Sequence, residues 1–126
     1  MEFNQKLTEE DGKASRENSE QSLIRNELKL IEYTKGGFYG WHTDFNAGTC
    51  SVRKLVGIIQ LTDPSEYEGG DVQFGIQDKD TKEWYSMNKL KGSLTFFPAF
   101  LCHNVVPVNK GKRYVIQELF VGDHFR

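Results

Sequence analysis

The 126-residue sequence is poor in cysteine, proline and histidine, with two, three and three of each. Two cysteines, Cys50 and Cys102, do not make the disulfide framework of a small secreted domain, so we expect a reducing, cytoplasmic setting. The chain opens on Met1 and Glu2 without the basic and apolar regions of a signal peptide. It also has no run that approaches the roughly 18 apolar residues of a membrane span, so we expect no membrane partner.

Neither sign of charge is in large excess, since 16 lysines and arginines face 18 acidic residues and the formal net charge is -2. A global positive field is therefore lacking, and the pair Arg53 and Lys54 is too short to indicate a nucleic-acid partner. What the sequence does contain is nine Phe, five Tyr, two Trp and twelve Gly. This composition favours a β-rich fold with many turns.

The chain divides by composition into a polar segment and a strand-rich segment. Residues 1–22 offer no apolar face, and we expect a mobile polar arm there. Residues 23–126 form one predicted β domain of about eight short strands, namely 28–34, 38–44, 52–61, 71–76, 83–87, 93–97, 103–108 and 113–121. Short strands at even spacing are typical of a sandwich, a barrel or a jelly roll.

His42 and Asp44 lie two residues apart in a predicted strand, so their side chains would point to the same face. An imidazole and a carboxylate in that arrangement can bind one divalent transition metal ion. Alone, this short pattern is as well explained by chance. His103, at the start of a later predicted strand, would complete a facial set of three ligands with open positions on the metal.

Arg113 follows a predicted hairpin turn at residues 109–112. That hairpin would place Arg113 across from Val105 or Pro107, on the face that carries His103. A buried guanidinium is costly without an anion, and its planar fork suits a carboxylate. The sequence therefore predicts a metal site beside a cation that binds an acid.

Taken together, these motifs resemble the iron(II)- and 2-oxoglutarate-dependent oxygenases, specifically the prolyl 4-hydroxylase-like group that includes the bacterial PKHD-type proteins. The resemblance runs from about residue 28 to residue 121 and depends on several motifs in a fixed order. These are Tyr33, the triplet 42–44, the segment 61–71, the segment 97–108 and the triplet 111–113.

The resemblance implies a double-stranded β-helix, or jelly roll, in which His42, Asp44 and His103 hold Fe(II). It also implies that the enzyme is a dioxygenase that hydroxylates a C–H bond of an unidentified substrate, either a protein side chain such as a prolyl residue or a small molecule. The co-substrates would be dioxygen and 2-oxoglutarate, with succinate and CO2 released. Ascorbate is a further implied ligand. Because the metal ligands must be deprotonated, metal binding is expected to fail at acid pH.

Three further residues are implied to contact 2-oxoglutarate. Arg113 would pair with its distal carboxylate, and Tyr33 matches a tyrosine that hydrogen-bonds the same molecule in relatives. Gln60 stands where some relatives carry another tyrosine that contacts the co-substrate, and Leu119 stands where a tryptophan is common.

Two other functions remain open at this point. A cupin-like metalloenzyme could use the same ligands without 2-oxoglutarate, although it would not need Arg113. A non-catalytic jelly-roll binding module could retain the ligands without activity, although a complete triad argues against it.

The strand pattern also predicts a sheet that is apolar on both faces. If Gln60 points inward, Val56 and Ile58 do so as well, while Leu55 and Ile59 lie outside. Both faces of such a sheet must be covered. Relatives use N-terminal helices for this purpose, and residues 1–22 have no clear counterpart to them. We therefore expect either a homo-oligomer that forms through the outer face or a chain that is a truncation of a longer protein.

Overall fold

The computed structural model describes residues 23–45 and 52–123, so the predicted arm and Cys50 lie outside the described residues. The described part contains ten strands and a 3₁₀ turn at Pro64–Glu66. The strands are β1 (Ile24–Tyr33), β2 (Tyr39–His42), β3 (Arg53–Gln60), β4 (Tyr67–Gly69), β5 (Val72–Gln77), β6 (Trp84–Ser86), β7 (Leu94–Pro98), β8 (His103–Val105), β9 (Val108–Gly111) and β10 (Arg113–Val121). Residues 23–45 and 52–123 contain no helix with the length and hydropathy that a membrane span requires.

Eight of the strands form two four-stranded antiparallel sheets. The larger sheet has the order β1-β10-β3-β7, and the smaller sheet has the order β2-β8-β5-β6. Side chains from both sheets meet in one buried core, which includes Val56, Val115 and Phe97 from the larger sheet and Val72 and Val105 from the smaller one. The predicted all-β architecture is therefore confirmed.

The larger sheet shows the two-faced pattern expected from its sequence. Val56, Ile58 and Gln60 are 0%, 7% and 0% exposed, whereas Leu55 and Ile59 on the other face are only half-buried. Strand β3 pairs with β10 in a register that sets Gln60 opposite Val115. The inward row of β3 therefore ends at a buried polar side chain, close to the start of β10.

The predicted hairpin at residues 109–112 is wrong. Val108–Gly111 is the strand β9, which pairs with β4 in a separate two-stranded ribbon. Strand β8 belongs to the smaller sheet and β10 to the larger one, so Arg113 lies opposite Tyr33 of β1 and not opposite Val105 or Pro107. The pattern was misleading because residues 109–111 have the composition of a turn, while their partner strand is far away in the sequence.

The ribbon of β4 and β9 is bound to the larger sheet at the end where β1 ends and β10 begins. The backbone N–H of Gly36 donates to the Val108 carbonyl at 2.8 Å, and the N–H of Val108 donates to the Gly37 carbonyl at 3.1 Å. The N–H of Gly70 donates to the Pro107 carbonyl at 3.2 Å. These bonds place β4, which begins at Tyr67, beside the ends of β1 and β10.

Candidate metal centre and carboxylate site

The structure brings the three predicted metal ligands together at one edge of the smaller sheet. His42 ends β2 and His103 begins β8, and the two residues are directly paired. Asp44 follows His42 by two residues, and its backbone N–H donates to the Ala99 carbonyl at 2.9 Å. Asp44 Oδ1 lies 3.8 Å from His42 Nε2, and Asp44 Oδ2 lies 3.5 Å from His103 Nε2. All three ligand atoms lie within 4.8 Å of one another.

Hydrogen bonds to backbone carbonyls set the tautomer of both imidazoles. His42 Nδ1 lies 2.6 Å from the Gly40 carbonyl oxygen, and His103 Nδ1 lies 2.9 Å from that of Leu101. A carbonyl can only accept, so each Nδ1 carries a hydrogen, and a neutral imidazole in this tautomer presents the lone pair of Nε2 to the cluster. Burial lowers the pKa of His103, against the opposing effects of Leu101 and Asp44, and so favours its neutral form.

Nitrogen and oxygen lone pairs thus face one another at the centre of this cluster. Asp44 Oδ2 is buried without a hydrogen-bond partner, and His103 Nε2, which lies 3.5 Å away, has no hydrogen to donate to it in the neutral tautomer. A buried carboxylate oxygen in this state is unfavourable unless a cation satisfies it. A divalent metal ion would bind all three atoms at once, and two imidazoles with one carboxylate are the ligand set of non-haem Fe(II) oxygenases. The residues present therefore fit the iron centre that the sequence implies.

Arg113 is a buried cation that takes part in no ion pair within the described part of the chain. It is 2% exposed, and the only carboxylate there whose charge clearly acts on it is the more distant Asp71. Its Nε donates to Gln60 Oε1 at 3.2 Å, and its guanidinium carbon lies 5.4 Å from the centre of the Tyr33 ring. Burial lowers the pKa of Arg113, while Tyr67, Tyr33 and the carboxylate of Asp71 oppose that shift. Arginine nevertheless keeps its charge in proteins, so this position favours an anionic ligand.

Tyr33 connects the guanidinium with the metal-ligand cluster. It ends β1 opposite Arg113, and burial raises the pKa of its hydroxyl. The charge of Arg113 lowers that pKa and the charge of Asp44 raises it, so both groups are close enough to act on the phenol. A neutral hydroxyl at this place can donate a hydrogen bond to a ligand that reaches from the metal to Arg113.

Gln60 and Tyr67 complete the surroundings of Arg113. Gln60 Nε2 donates to Tyr67 Oη at 2.8 Å and to the Thr62 carbonyl at 3.1 Å. Tyr67 was not among the predicted site residues, although it lies within the segment 61–71 that carries the family resemblance. Gly70 has φ +67°, and a Cβ at this position would lie 3.0 Å from a Val108 methyl group and 3.3 Å from Arg113 Cδ. Glycine therefore gives the arginine stem room to reach the site.

Aromatic side chains surround the metal ligands. The Tyr39 ring stacks on the His42 imidazole with centroids 3.6 Å apart, and Tyr39 is 54% exposed. Trp41 and Trp84 contact each other with centroids 4.9 Å apart, and both are exposed. Phe45 packs against the core. Exposed aromatic surface therefore lies next to the candidate metal site.

A jelly roll with a His-Asp-His cluster and a buried arginine defines a class of metal-dependent oxygenase, and comparison with known proteins gives the family. Residues 28–120 match the model of the 2OG-Fe(II) oxygenase superfamily, where 2OG is 2-oxoglutarate. The chain belongs to this family. It is 32% identical over 90 residues to a PKHD-type hydroxylase of Aliarcobacter butzleri, which covers 67% of this chain and 38% of that relative. The PKHD-type hydroxylase PiuC of Pseudomonas aeruginosa is 33% identical over 91 residues, which covers 65% of this chain and 37% of PiuC.

Solved structures support the same fold. A Pseudomonas putida prolyl-4-hydroxylase superposes with a TM-score of 0.62 at 19% identity, over 80% of this chain and 53% of that one. A viral collagen prolyl hydroxylase from Paramecium Bursaria Chlorella virus-1 superposes with a TM-score of 0.61 at 15% identity, over 98% of this chain and 74% of that one. The predicted jelly roll and the predicted family are therefore confirmed. The chain spans less than two fifths of the length of the curated relatives above.

Proposed function

We propose that this protein is an Fe(II)- and 2-oxoglutarate-dependent dioxygenase that hydroxylates a C–H bond of a substrate still to be identified. The observation that carries this proposal is the buried guanidinium of Arg113, which is in no ion pair within the described ranges and lies beside Tyr33. The charge of Asp44, a member of the three-ligand cluster, acts on the same Tyr33. A 2-oxo acid with a second carboxylate can bind the metal through its 2-oxo acid group and Arg113 through its second carboxylate. Family membership supports the same reaction.

The residues of this chain have separate tasks in that reaction. Iron, when bound, supplies the oxidative chemistry that couples decarboxylation of 2-oxoglutarate to succinate and CO2 with hydroxylation of the substrate. His42, Asp44 and His103 would hold the ion and leave positions open. Arg113 would bind the distal carboxylate through its planar fork, and Tyr33 would donate a hydrogen bond to the same molecule.

A succinate-release assay with Fe(II), ascorbate, dioxygen and candidate substrates tests this proposal. We expect succinate only when both oxygen and 2-oxoglutarate are present. Oxygen-dependent turnover of a substrate without 2-oxoglutarate would favour the cupin-like alternative. Absence of any turnover together with retained metal binding would favour the binding module. Ascorbate is included as a proposed reductant, so the assay is also run without it.

Metal titration tests the ligand set separately from turnover. His42→Ala, Asp44→Ala and His103→Ala should each lose tight Fe(II) binding, because each removes one of three facing ligand atoms. Cys102→Ala is a matched control, since it changes the residue next to His103 without removing a proposed ligand. Unchanged affinity in any of the three variants would remove that residue from the set.

For the primary substrate, we propose a prolyl residue of a protein, and a small molecule is the second candidate. The support is that relatives and structural neighbours are named hydroxylases and prolyl hydroxylases. We place the reaction in the cytoplasm because the sequence has only two cysteines and no disulfide framework. Mass spectrometry of proline-containing peptides after incubation with the enzyme tests this choice, with a 16-Da increase on proline as the expected result.

We also propose that the outer face of the larger sheet joins two copies of the chain. The paired residues Leu30, Ile116, Ile59 and Leu94 form one apolar row across all four strands. Its two ends, Leu30 and Leu94, are 70% and 48% exposed. An apolar sheet face of this extent is unusual on a soluble monomer.

A further inference from the structure

The hydrogen bonds of Gln60 leave it no hydrogen to donate to a co-substrate. Arginine has no acceptor atom, so the atom that faces Arg113 Nε at 3.2 Å must be Gln60 Oε1, which fixes the orientation of the amide. The two hydrogens on Nε2 then go to Tyr67 Oη and to the Thr62 carbonyl. Because Gln60 is also 0% exposed, its task is to position Arg113 and Tyr67.

The Tyr67 hydroxyl, by contrast, keeps one hydrogen to donate. Its oxygen accepts from Gln60 Nε2 at 2.8 Å, and the nearby Arg113 guanidinium, which can only donate, cannot take up the phenolic hydrogen. Among the hydrogen bonds of the described residues, none has the Tyr67 hydroxyl as donor, so its hydrogen is available to a ligand. Tyr67 is 4% exposed, so bulk water has little access to the group.

The ring that carries this hydroxyl is fixed from several sides. Tyr67 pairs with Gly111 in the β4–β9 ribbon, and a Cβ on Gly70 would lie 3.6 Å from the edge of the Tyr67 ring. Lys89 Nζ lies 5.1 Å from the centre of the ring and is itself paired with Asp71 at 2.7 Å. The direction of the hydroxyl is therefore set by packing before any ligand binds.

We propose that the Tyr67 hydroxyl donates a hydrogen bond to the anion that Arg113 binds. A carboxylate would then be held by a guanidinium and a phenol together, with Gln60 as the residue that positions both. The inference rests on the proposed function, in which this anion is the distal carboxylate of 2-oxoglutarate. It adds Tyr67 as a binding residue to the residues implied by the sequence.

Calorimetry with two ligands tests this role. The full chain is loaded with Mn(II) under nitrogen and titrated with 2-oxoglutarate or with 2-oxobutanoate, which has no distal carboxylate. Tyr67→Phe should weaken 2-oxoglutarate about 10- to 100-fold, the range for a hydrogen bond to a charged group. It should leave the affinity for 2-oxobutanoate within about twofold of wild type. Tyr114→Phe is the matched control, because Tyr114 lies on the outer face and hydrogen-bonds Glu32.

A second background separates donation to the ligand from support of Arg113. In Arg113→Lys, the positive charge remains but the Nε–H and the fork are lost. If the Tyr67 hydroxyl donates directly to the carboxylate, Tyr67→Phe should weaken 2-oxoglutarate further in this background. If the hydroxyl only holds the guanidinium in place, the second substitution has no further effect and the inference is overturned.

The outcomes for the function and for the inference differ. If the wild-type protein does not bind 2-oxoglutarate, the proposed function is wrong. If the wild type binds and Tyr67→Phe binds equally well, only the role of Tyr67 is refuted. If Tyr67→Phe does not fold, a second measurement is made on the Tyr33→Phe protein, in which Tyr67 is kept. This measurement is the near-ultraviolet difference spectrum between the ligand-bound and the ligand-free protein. A tyrosine shift with 2-oxoglutarate but not with 2-oxobutanoate is then expected, and the absence of that shift would overturn the inference.

Discussion

Replacing Arg113 by methionine removes the buried positive charge and keeps a side chain of similar length. In the ligand-free protein the charge is in no ion pair within the described ranges and is compensated only in part by the more distant Asp71, so its removal ends a desolvation cost. Substitution of buried ionic groups by apolar residues is often neutral or stabilising by about 1–4 kcal/mol. Against this, Gln60 Oε1 loses its donor, which costs about 1–3 kcal/mol. We therefore expect the free energy of unfolding to change by no more than about 2 kcal/mol.

The effect of Arg113→Met on 2-oxoglutarate should be far larger. Two hydrogen bonds from a guanidinium fork to a carboxylate contribute about 1.5–3 kcal/mol each. Their loss corresponds to a weakening of about 100- to 20,000-fold in Kd. The affinity for the metal should stay the same, because the ligand cluster is intact, and Arg113→Lys should fall between the two proteins.

Calorimetry and chemical denaturation measure both parts of this prediction. Titration of 2-oxoglutarate into the Mn(II)-loaded proteins gives the affinities, and urea unfolding of the metal-free proteins gives the stabilities. Equal 2-oxoglutarate affinity in wild type and Arg113→Met would refute the carboxylate site. A loss of stability well above 3 kcal/mol would show that the guanidinium is fully satisfied within the protein, and would contradict the argument from its missing counter-ion.

Three further predictions concern other parts of the molecule. Asp44→Asn should leave the metal-free protein at least as stable as wild type, because it removes the charge of a buried carboxylate. Mn(II) should no longer raise the Tm of this variant, and a normal increase in Tm would contradict the metal centre. Gly70→Ala should destabilise the fold by about 1–3 kcal/mol in urea unfolding, because φ is +67° and the new Cβ meets Val108, whereas Gly40→Ala has open space and should not differ from wild type by more than about 0.5 kcal/mol. Leu30→Glu should shift sedimentation at micromolar concentration from dimer to monomer, and a monomeric wild type would rule out the dimer.

The local chemistry of the candidate metal centre could be read from the sequence. Alternation in a strand puts His42 and Asp44 on one face without any knowledge of the fold. The position of His103 next to this pair does not follow from alternation. Strands β2 and β8 are far apart in the chain, and their pairing is set by the packing of the whole smaller sheet. A pattern of residues identifies which side chains could act together, whereas the pairing of the strands that carry them follows from tertiary structure.

Arg113 shows that an inward orientation can be predicted for the wrong reason. The predicted hairpin would place Arg113 opposite Val105 or Pro107, but the strand between them, β9, pairs with β4 in a separate ribbon. Its inward direction comes from alternation along β10, where Arg113, Val115 and Leu119 are all buried. Alternation is a property of a single strand. The predicted inward orientation of Arg113 was therefore correct even though the predicted pairing of its strand was wrong.

The ribbon of β4 and β9 explains why the surroundings of Arg113 were harder to predict than the metal ligands. The smaller sheet supplies His42 and His103, and the larger sheet supplies Arg113 and Gln60, so two regular sheets provide most of the chemistry. Tyr67 comes from neither sheet. Its position depends on a strand of three residues that pairs with a segment of turn-like composition, and no short-range pattern reports such a pairing. One side chain of the proposed carboxylate site therefore comes from the least regular element of the fold. A substitution in the ribbon should disturb 2-oxoglutarate binding while the metal centre at the smaller sheet is preserved.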